Sequence, residues 1–393
     1  AERLNGEYQA EERYYENFSQ SKITFSSVLN TKLSAKSNLR SGFFLNHLQY
    51  NLFEKGYDES LGQLVTNIDA QGSTQSIQAF SQLNLRATER LSFNVGVHYL
   101  QLLLNNSNSF EPRLSATYEI DEKQRISLGY GLHSQVQPLG TYFAIQEENG
   151  IISLPNKNLG LSKSHHLVLG YDRSLNPYLR MKIETYYQHL FDIPVKPGED
   201  QTYSIINQQW SFMTDPLVNT GFGKNYGAEI TLEQFTHKGL YFLISGSVYN
   251  SLYKTEENKW RNTRFNGKAN LAITAGKEYN WKKNRVFGMN LRTIYGGGLW
   301  NTPIDLDASI SSGETILKEQ YAFTEQNPAY FRTDIRLSLK RNRPKSTRTL
   351  ALDIQNVTNR ANVFGSYFEP MEGVIKTAYQ TLLIPILSYR VEF

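Results

Sequence analysis

The chain has 393 residues, Lys+Arg 41 against Asp+Glu 37, a net charge of +4 and no cysteine. The missing cysteine excludes disulfides, thiolate metal sites and cysteine nucleophiles. The mild charge, with "KRNRPKSTR" (340–348) as its longest basic cluster, gives no sign of a nucleic-acid partner. No run of ~18 apolar residues offers a transmembrane helix.

"AERLNGEYQA" at 1–10 lacks the apolar core of a signal peptide, so the chain reads as mature or as cut from something longer. From there period two runs throughout. About sixteen strands are predicted, near 2–15, 19–34, 37–50, 74–88, 90–104, 110–121, 124–135, 163–174, 177–192, 222–236, 239–253, 260–279, 285–297, 328–341, 347–359 and 376–393. In "LRMKIETYYQ" (179–188) Leu179, Met181, Ile183 and Tyr187 alternate with Arg180, Lys182, Glu184 and Gln188. In "FRTDIRLSLK" (331–340) Phe331, Ile335, Leu337 and Leu339 alternate with Arg332, Asp334, Arg336 and Lys340. These strands exceed the ~5–6 residues usual in soluble proteins.

The predicted connections alternate as well. Short polar turns fall at 34–37, 88–90, 121–124, 174–177, 236–239 and 280–284, and longer Asn/Gly/Ser/Pro-rich loops at 51–73, 136–162, 193–220, 298–327 and 361–375. Short turns at one rim and long loops at the other are the pattern of an all-β, antiparallel transmembrane β-barrel of the outer membrane. Hydrocarbon offers no partner to backbone N–H and C=O groups, so strands cross it only in a sheet that pairs them all. One face then meets lipid and the other a wet lumen, which reconciles a mean hydropathy of −0.48 with a membrane protein. Aromatics gather near predicted strand ends, among them Tyr15, Tyr50, Tyr187, Tyr253, Tyr295 and Tyr389, as in the interfacial girdles of such barrels. A soluble β-sandwich also alternates, but with shorter strands. The even strand count places both ends of the sheet at the short-turn rim.

The last strand, "IPILSYRVEF" (384–393), puts Leu387, Tyr389, Val391 and Phe393 on one parity. A terminal aromatic after that alternation looks like the C-terminal signal read by barrel-assembly machinery.

Motifs for catalysis fail on inspection. "GFGKNYG" (221–227) has the wrong glycine spacing for a dinucleotide loop and no helix after it. His165 and His166 point to opposite faces of a strand and cannot chelate one metal. "DLDAS" (305–309) lacks the length and glycine of a calcium loop. No enzyme activity, metal or other cofactor is expected.

A family resemblance emerges from several stretches in order: "FEPRLSATYEI" 110–120, "ISLGYGLHSQVQPLGTYF" 126–143, "PNKNLGLSKSHHLVLGYD" 155–172, "GFGKNYGAEITLEQ" 221–234, "YGGGLWNTPIDLDAS" 295–309, "YFRTDIRLSLK" 330–340, "LDIQNVTNRANVF" 352–364 and the last ten residues. Together they resemble the C-terminal barrel portion of a TonB-dependent receptor of the kind found in Bacteroidetes. The resemblance implies an importer in the outer membrane of a Gram-negative bacterium, with a plug inside a 22-stranded barrel. It implies outer-membrane lipid, the assembly machinery, TonB and the receptor's own plug as partners, with a surface lipoprotein as a further candidate. Against that pattern, 1–393 reads as barrel throughout, with plug, TonB box and first strands missing.

Loop aromatics placed to stack on a ligand are Tyr142, Phe143, Tyr203, Trp210, Phe212, Trp300 and Tyr321, with packing of loop against loop as their alternative role. Lumen-facing charges are Arg180, Lys182, Glu184, Arg332, Asp334, Arg336 and Lys340, placed to meet plug or water. Two other functions stay open: a sixteen-stranded passive porin, and a membrane-embedded partner of a larger secretion or lipoprotein assembly.

Overall fold

The computed structural model describes residues 2–4, 10–58, 61–209, 211–282 and 284–393. Its centre is one antiparallel sheet of 16 strands. Fifteen of them form an unbroken path in which every strand pairs with its neighbours in sequence. In chain order these are β1 (Tyr14–Lys32), β2 (Ser37–Asp58), β3 (Gln63–Arg86), β4 (Leu91–Leu102), β5 (Ser107–Asp121), β6 (Gln124–Gln135), β7 (Ser162–Asn176), β8 (Leu179–Val195), β9 (Val218–His237), β10 (Leu240–Lys254), β11 (Ala269–Lys282), β12 (Arg285–Gly296), β13 (Tyr330–Arg343), β14 (Ser346–Gln355) and β15 (Ile384–Glu392). The sixteenth, Arg261–Asn262, pairs with β10 off that path.

The meander follows from the sequence pattern. Tight polar turns join β1 to β2, β5 to β6, β7 to β8, β9 to β10 and β13 to β14 at one rim, and Gly239, at φ 78°, supplies the left-handed residue of one of them. Register keeps polar with polar across neighbours. Asn290 opposes Arg336 and Arg336 opposes Asp353, while Leu337 opposes Leu352 on the other face. The apolar face is exposed, with Ile23, Phe25, Leu114, Leu169, Val248 and Leu387 among its uncovered side chains.

Five expectations need correction. The strand expected over 2–15 is not part of the sheet where it is described: Glu2–Leu4 and Ala10–Glu12 pair with each other, and the sheet begins at Tyr14. The path therefore holds an odd number of strands, and its ends lie at opposite rims: β1 starts at the long-loop rim and β15 finishes at the short-turn rim. Residues 51–73 are not a loop. β2 and β3, 22 and 24 residues long, continue past the ~9–11 residues needed to cross a bilayer and stand above the rim as a hairpin. The hairpin is polar in composition, which hid it, but it alternates enough to bury Leu52, Ile68 and Ala70. The stretch 376–393 is also divided. Val374–Tyr379 pairs with Val363–Glu369 in a separate hairpin, and the spanning strand is only Ile384–Glu392. At the other boundary, the strand expected over 260–279 begins at Ala269, with 255–268 as a further loop.

β1 and β15 are the two edges of the path and are not paired with each other among the described residues. Most of both is exposed. Pro385 sits in β15, an edge strand, where a residue without an N–H is tolerated.

Candidate functional site

The loops at the open rim fold onto one another and carry the main apolar core of the described residues. Leu52 and Ile68 from the β2–β3 hairpin, Leu102 at the end of β4, Tyr142 and Phe143 from the 136–161 loop, and Leu159 and Leu217 form it. Polar ties fix the layer. Asn156, fully buried, donates to the Asp215 carbonyl at 2.8 Å and accepts from the Leu217 N–H at 2.8 Å. Asn219 accepts from the Gly160 N–H at 2.8 Å. A side-chain amide is needed at each place because it donates and accepts at once, closing two backbone groups that burial would otherwise orphan.

A second tier lies over β10 to β13. Arg261 holds Glu257 with two contacts of 2.7 Å and donates to the Gln320 carbonyl at 3.1 Å. The Arg261 guanidinium pulls the Glu257 carboxyl below its ordinary value. Tyr253 donates to the Thr202 carbonyl at 2.8 Å, and Thr202 donates to the Glu319 carbonyl at 3.0 Å. Gly297 and Gly298 are required by a crossing of backbones. A Cβ on Gly297 would stand 1.6 Å from the Gly267 carbonyl oxygen, and one on Gly298 1.7 Å from that of Asn327. Asp305 is the N-cap of the short helix Leu306–Ser312, accepting from the Ala308 N–H at 3.2 Å, and Gly313 closes it at φ 69°.

The proposed stacking aromatics fall in different places. Tyr142 is 0 % and Phe143 8 % exposed. The Tyr142 hydroxyl accepts from the Gln137 N–H at 3.1 Å, and Phe143 lies 4.8 Å from the Tyr50 ring. Both rings pack the loop core, and burial raises the Tyr142 phenol above its ordinary pKa. Phe212 packs on Phe18 at 4.9 Å. Trp300 donates from Nε1 to the Asn266 carbonyl at 2.7 Å. Tyr203 donates to Gln208 at 3.0 Å and lines a cavity. Tyr321 alone among them is more than half exposed. Trp210 lies outside the described residues. Of the expected girdle, Tyr15, Tyr187, Tyr295 and Tyr389 are exposed, whereas Tyr253 is fully buried under the loops. Proximity to a strand end does not distinguish a ring facing lipid from one facing a folded loop.

The charges Arg180, Lys182, Glu184, Arg332, Asp334, Arg336 and Lys340 all lie on the face opposite the exposed apolar one. Asp172 accepts from both Arg125 and Arg180. Lys182 pairs with Glu184 at 2.7 Å, Arg332 with Asp334 at 2.7 Å and Arg336 with Asp353 at 2.9 Å. Lys340 makes no ion pair among the described residues. The same face carries a network that periodicity alone does not reveal. Glu111, 1 % exposed, accepts from His98 at 3.0 Å, from Arg113 at 2.9 Å and from Ser134. It borders a recess of about 570 Å³ lined by Arg40, His98, Arg113, His133 and His166. The His166 ring lies 4.6 Å from that of His133, tilted against it, while His165 stacks with Tyr130 on the other face. No cluster suited to a metal occurs among the described residues.

At the C-terminus Leu387, Tyr389 and Phe393 are exposed. Val391 shares their parity and opposes Arg348 of β14.

Residues 2–357 match the family described as TonB dependent receptor-like, beta-barrel. Compared with curated proteins, the sequence matches none. Among solved structures, the ferric yersiniabactin uptake receptor of Yersinia pestis is similar with a TM-score of 0.62 at 12 % identity, over 97 % of this chain and 55 % of that one. The outer membrane transporter YddB of Escherichia coli gives 0.63 at 13 %, over 95 % and 54 %. The siderophore receptor PiuA of Acinetobacter baumannii gives 0.59 at 14 %, over 95 % and 56 %. The chain thus spans about half the length of the solved structures it matches.

Proposed function

The chain belongs to the TonB-dependent receptor β-barrel family, whose members reside in the Gram-negative outer membrane, and from that premise we propose that it is the barrel part of an active importer of a scarce solute. The observation that carries this reading is the pairing of a fifteen-strand meander with a rim of loops folded into a core of their own. A passive pore needs no such layer, whereas a receptor that captures a dilute ligand does.

The barrel is proposed to reach the family's 22 strands, with further strands pairing against β1 and β15. Left bare in lipid, either edge would hold several unpaired backbone groups. The ion-paired face is proposed as the lumen, meeting a plug and water, with TonB engaging the receptor from the short-turn side. The apolar parity of Leu387, Tyr389, Val391 and Phe393 supports a role as the assembly signal. The ordered resemblance of the stretches from 110 to 364 supports a Bacteroidetes-type receptor, for which a surface lipoprotein is the candidate partner. Several structurally similar proteins are named for iron complexes, so ferric chelates are the first solutes to test.

The test is uptake of radiolabelled ferric citrate and ferric siderophores by cells carrying the full receptor, with and without TonB. Uptake that vanishes without TonB is expected. Uptake of a small solute independent of TonB and linear in its concentration would instead indicate a pore.

A further inference from the structure

Three side chains at the loop rim hold hydrogen-bonding groups that no described residue uses. Ser204 Oγ, Asn207 Nδ2 and Arg264 Nε are buried and make no hydrogen bond among the described residues. Ser204 is 0 % and Asn207 9 % exposed. A buried polar group without a partner is costly, so three beside one space call for an occupant. All three residues line a single cavity of about 490 Å³, enclosed by the 196–217, 255–268, 297–329 and 356–383 loops.

The orientation of the Asn207 amide is fixed by its neighbour. Its Oδ1 accepts from the Arg264 N–H at 2.9 Å, so Nδ2 is the end left free. Arg264 brings a guanidinium with no ion pair among the described residues, and burial lowers it from its ordinary pKa while leaving it charged. An amide donor and a hydroxyl beside an unpaired cation are suited to a planar oxyanion. The rest of the wall is mixed: Pro303, Ile304, Leu317, Phe323 and Ile375 present apolar surface, beside polar residues such as Asn301, Thr302 and Thr315. The acidic residues of the described lining, Glu319 and Glu325, are both exposed and oppose a second negative charge on the occupant.

We propose that this cavity binds a small organic acid, with one carboxylate at Ser204, Asn207 and Arg264 and an apolar body against Ile304, Leu317 and Phe323. The site concerns binding and stands whether or not the occupant is imported.

The test is ¹⁹F NMR of 4-(trifluoromethyl)benzoate added to the full receptor in detergent, with 4-(trifluoromethyl)benzyl alcohol as its uncharged counterpart. Saturable broadening of the benzoate is expected, with affinity for the alcohol roughly tenfold or more weaker, since a charge-assisted bond is lost. Arg264→Gln should weaken the benzoate to a similar degree. Asn207→Asp keeps the acceptor for the Arg264 N–H but faces the ligand with an anion, and it should abolish benzoate binding while leaving gel heat-modifiability intact. Equal binding of acid and alcohol, or benzoate binding unchanged in a folded Asn207→Asp receptor, would overturn the proposal. So would an absence of benzoate binding to the parent.

Discussion

The spanning sheet and the loop layer above it are held together in opposite ways. In the spanning part of the sheet the apolar face has no protein cover: Ile23, Phe25, Val248 and Leu387 lie open on it, and charges pair across the other face. Its stability comes from the backbone ladder and from the solvent outside it. The loop layer resembles a small soluble protein, with Tyr142, Leu52 and Ile68 fully buried and Asn156 and Asn266 fully enclosed among backbone groups. The same chain thus uses lipid as its apolar phase in one region and makes its own in the other. Substitutions should therefore obey different rules on the two sides of the rim.

Tyr142→Ala should show the largest effect. It opens a cavity in the loop core and strands the Gln137 N–H, at roughly 3–5 kcal/mol by analogy with other buried aromatics. Hydrogen exchange should report loss of protection in 136–161, while heat-modifiable gel mobility of the sheet stays unchanged. Loss of both together would break the distinction between regions.

On the sheet, Ile335→Arg puts a charge on the apolar face near the middle of β13 and should cost roughly 2–4 kcal/mol in folding against urea in lipid. Leu352→Arg, on the neighbouring strand, should behave alike. A milder effect is expected of pH on the second loop tier. Arg261 holds the Glu257 carboxyl below its ordinary value of 4.5. Its folded pKa is depressed, so its contribution is complete above that value and fades as pH falls through the lower folded pKa. Protease resistance of 255–268 should therefore drop on acidification below about 4.5, and Glu257→Gln should remove that dependence. Arg336→Leu should be the smallest change, below about 1 kcal/mol, because the exposed Arg336–Asp353 pair is solvent-screened.

Period two made β5 to β10 and β12 to β13 legible within a few residues, since each alternates between a lipid-facing and a polar side. It failed where one or both sides change solvent. The β2–β3 hairpin leaves the membrane region midway, and its Asn, Asp and Gly content reads as loop although Leu52, Ile68 and Ala70 turn inward. The cavity was legible only in part. Tyr203 was a candidate from its loop position, but Ser204, Asn207 and Arg264 carry no periodic signal and meet only because four loops fold together. Glu111 was hidden for a related reason: His98 and Ser134 reach it across the register of neighbouring strands, which no local pattern encodes.

The assignment of faces underlies all of this, and the absence of cysteine from these 393 residues helps make it directly measurable. Leu337→Cys, Leu352→Cys, Arg336→Cys and Asp353→Cys receptors, reconstituted in lipid, can each carry one bimane label, read by quenching from brominated acyl chains and from aqueous iodide. Quenching by brominated lipid at 337 and 352, and by iodide at 336 and 353, is the predicted result. The reverse pattern, or equal quenching by both at all four positions, would contradict a membrane-spanning sheet with this register.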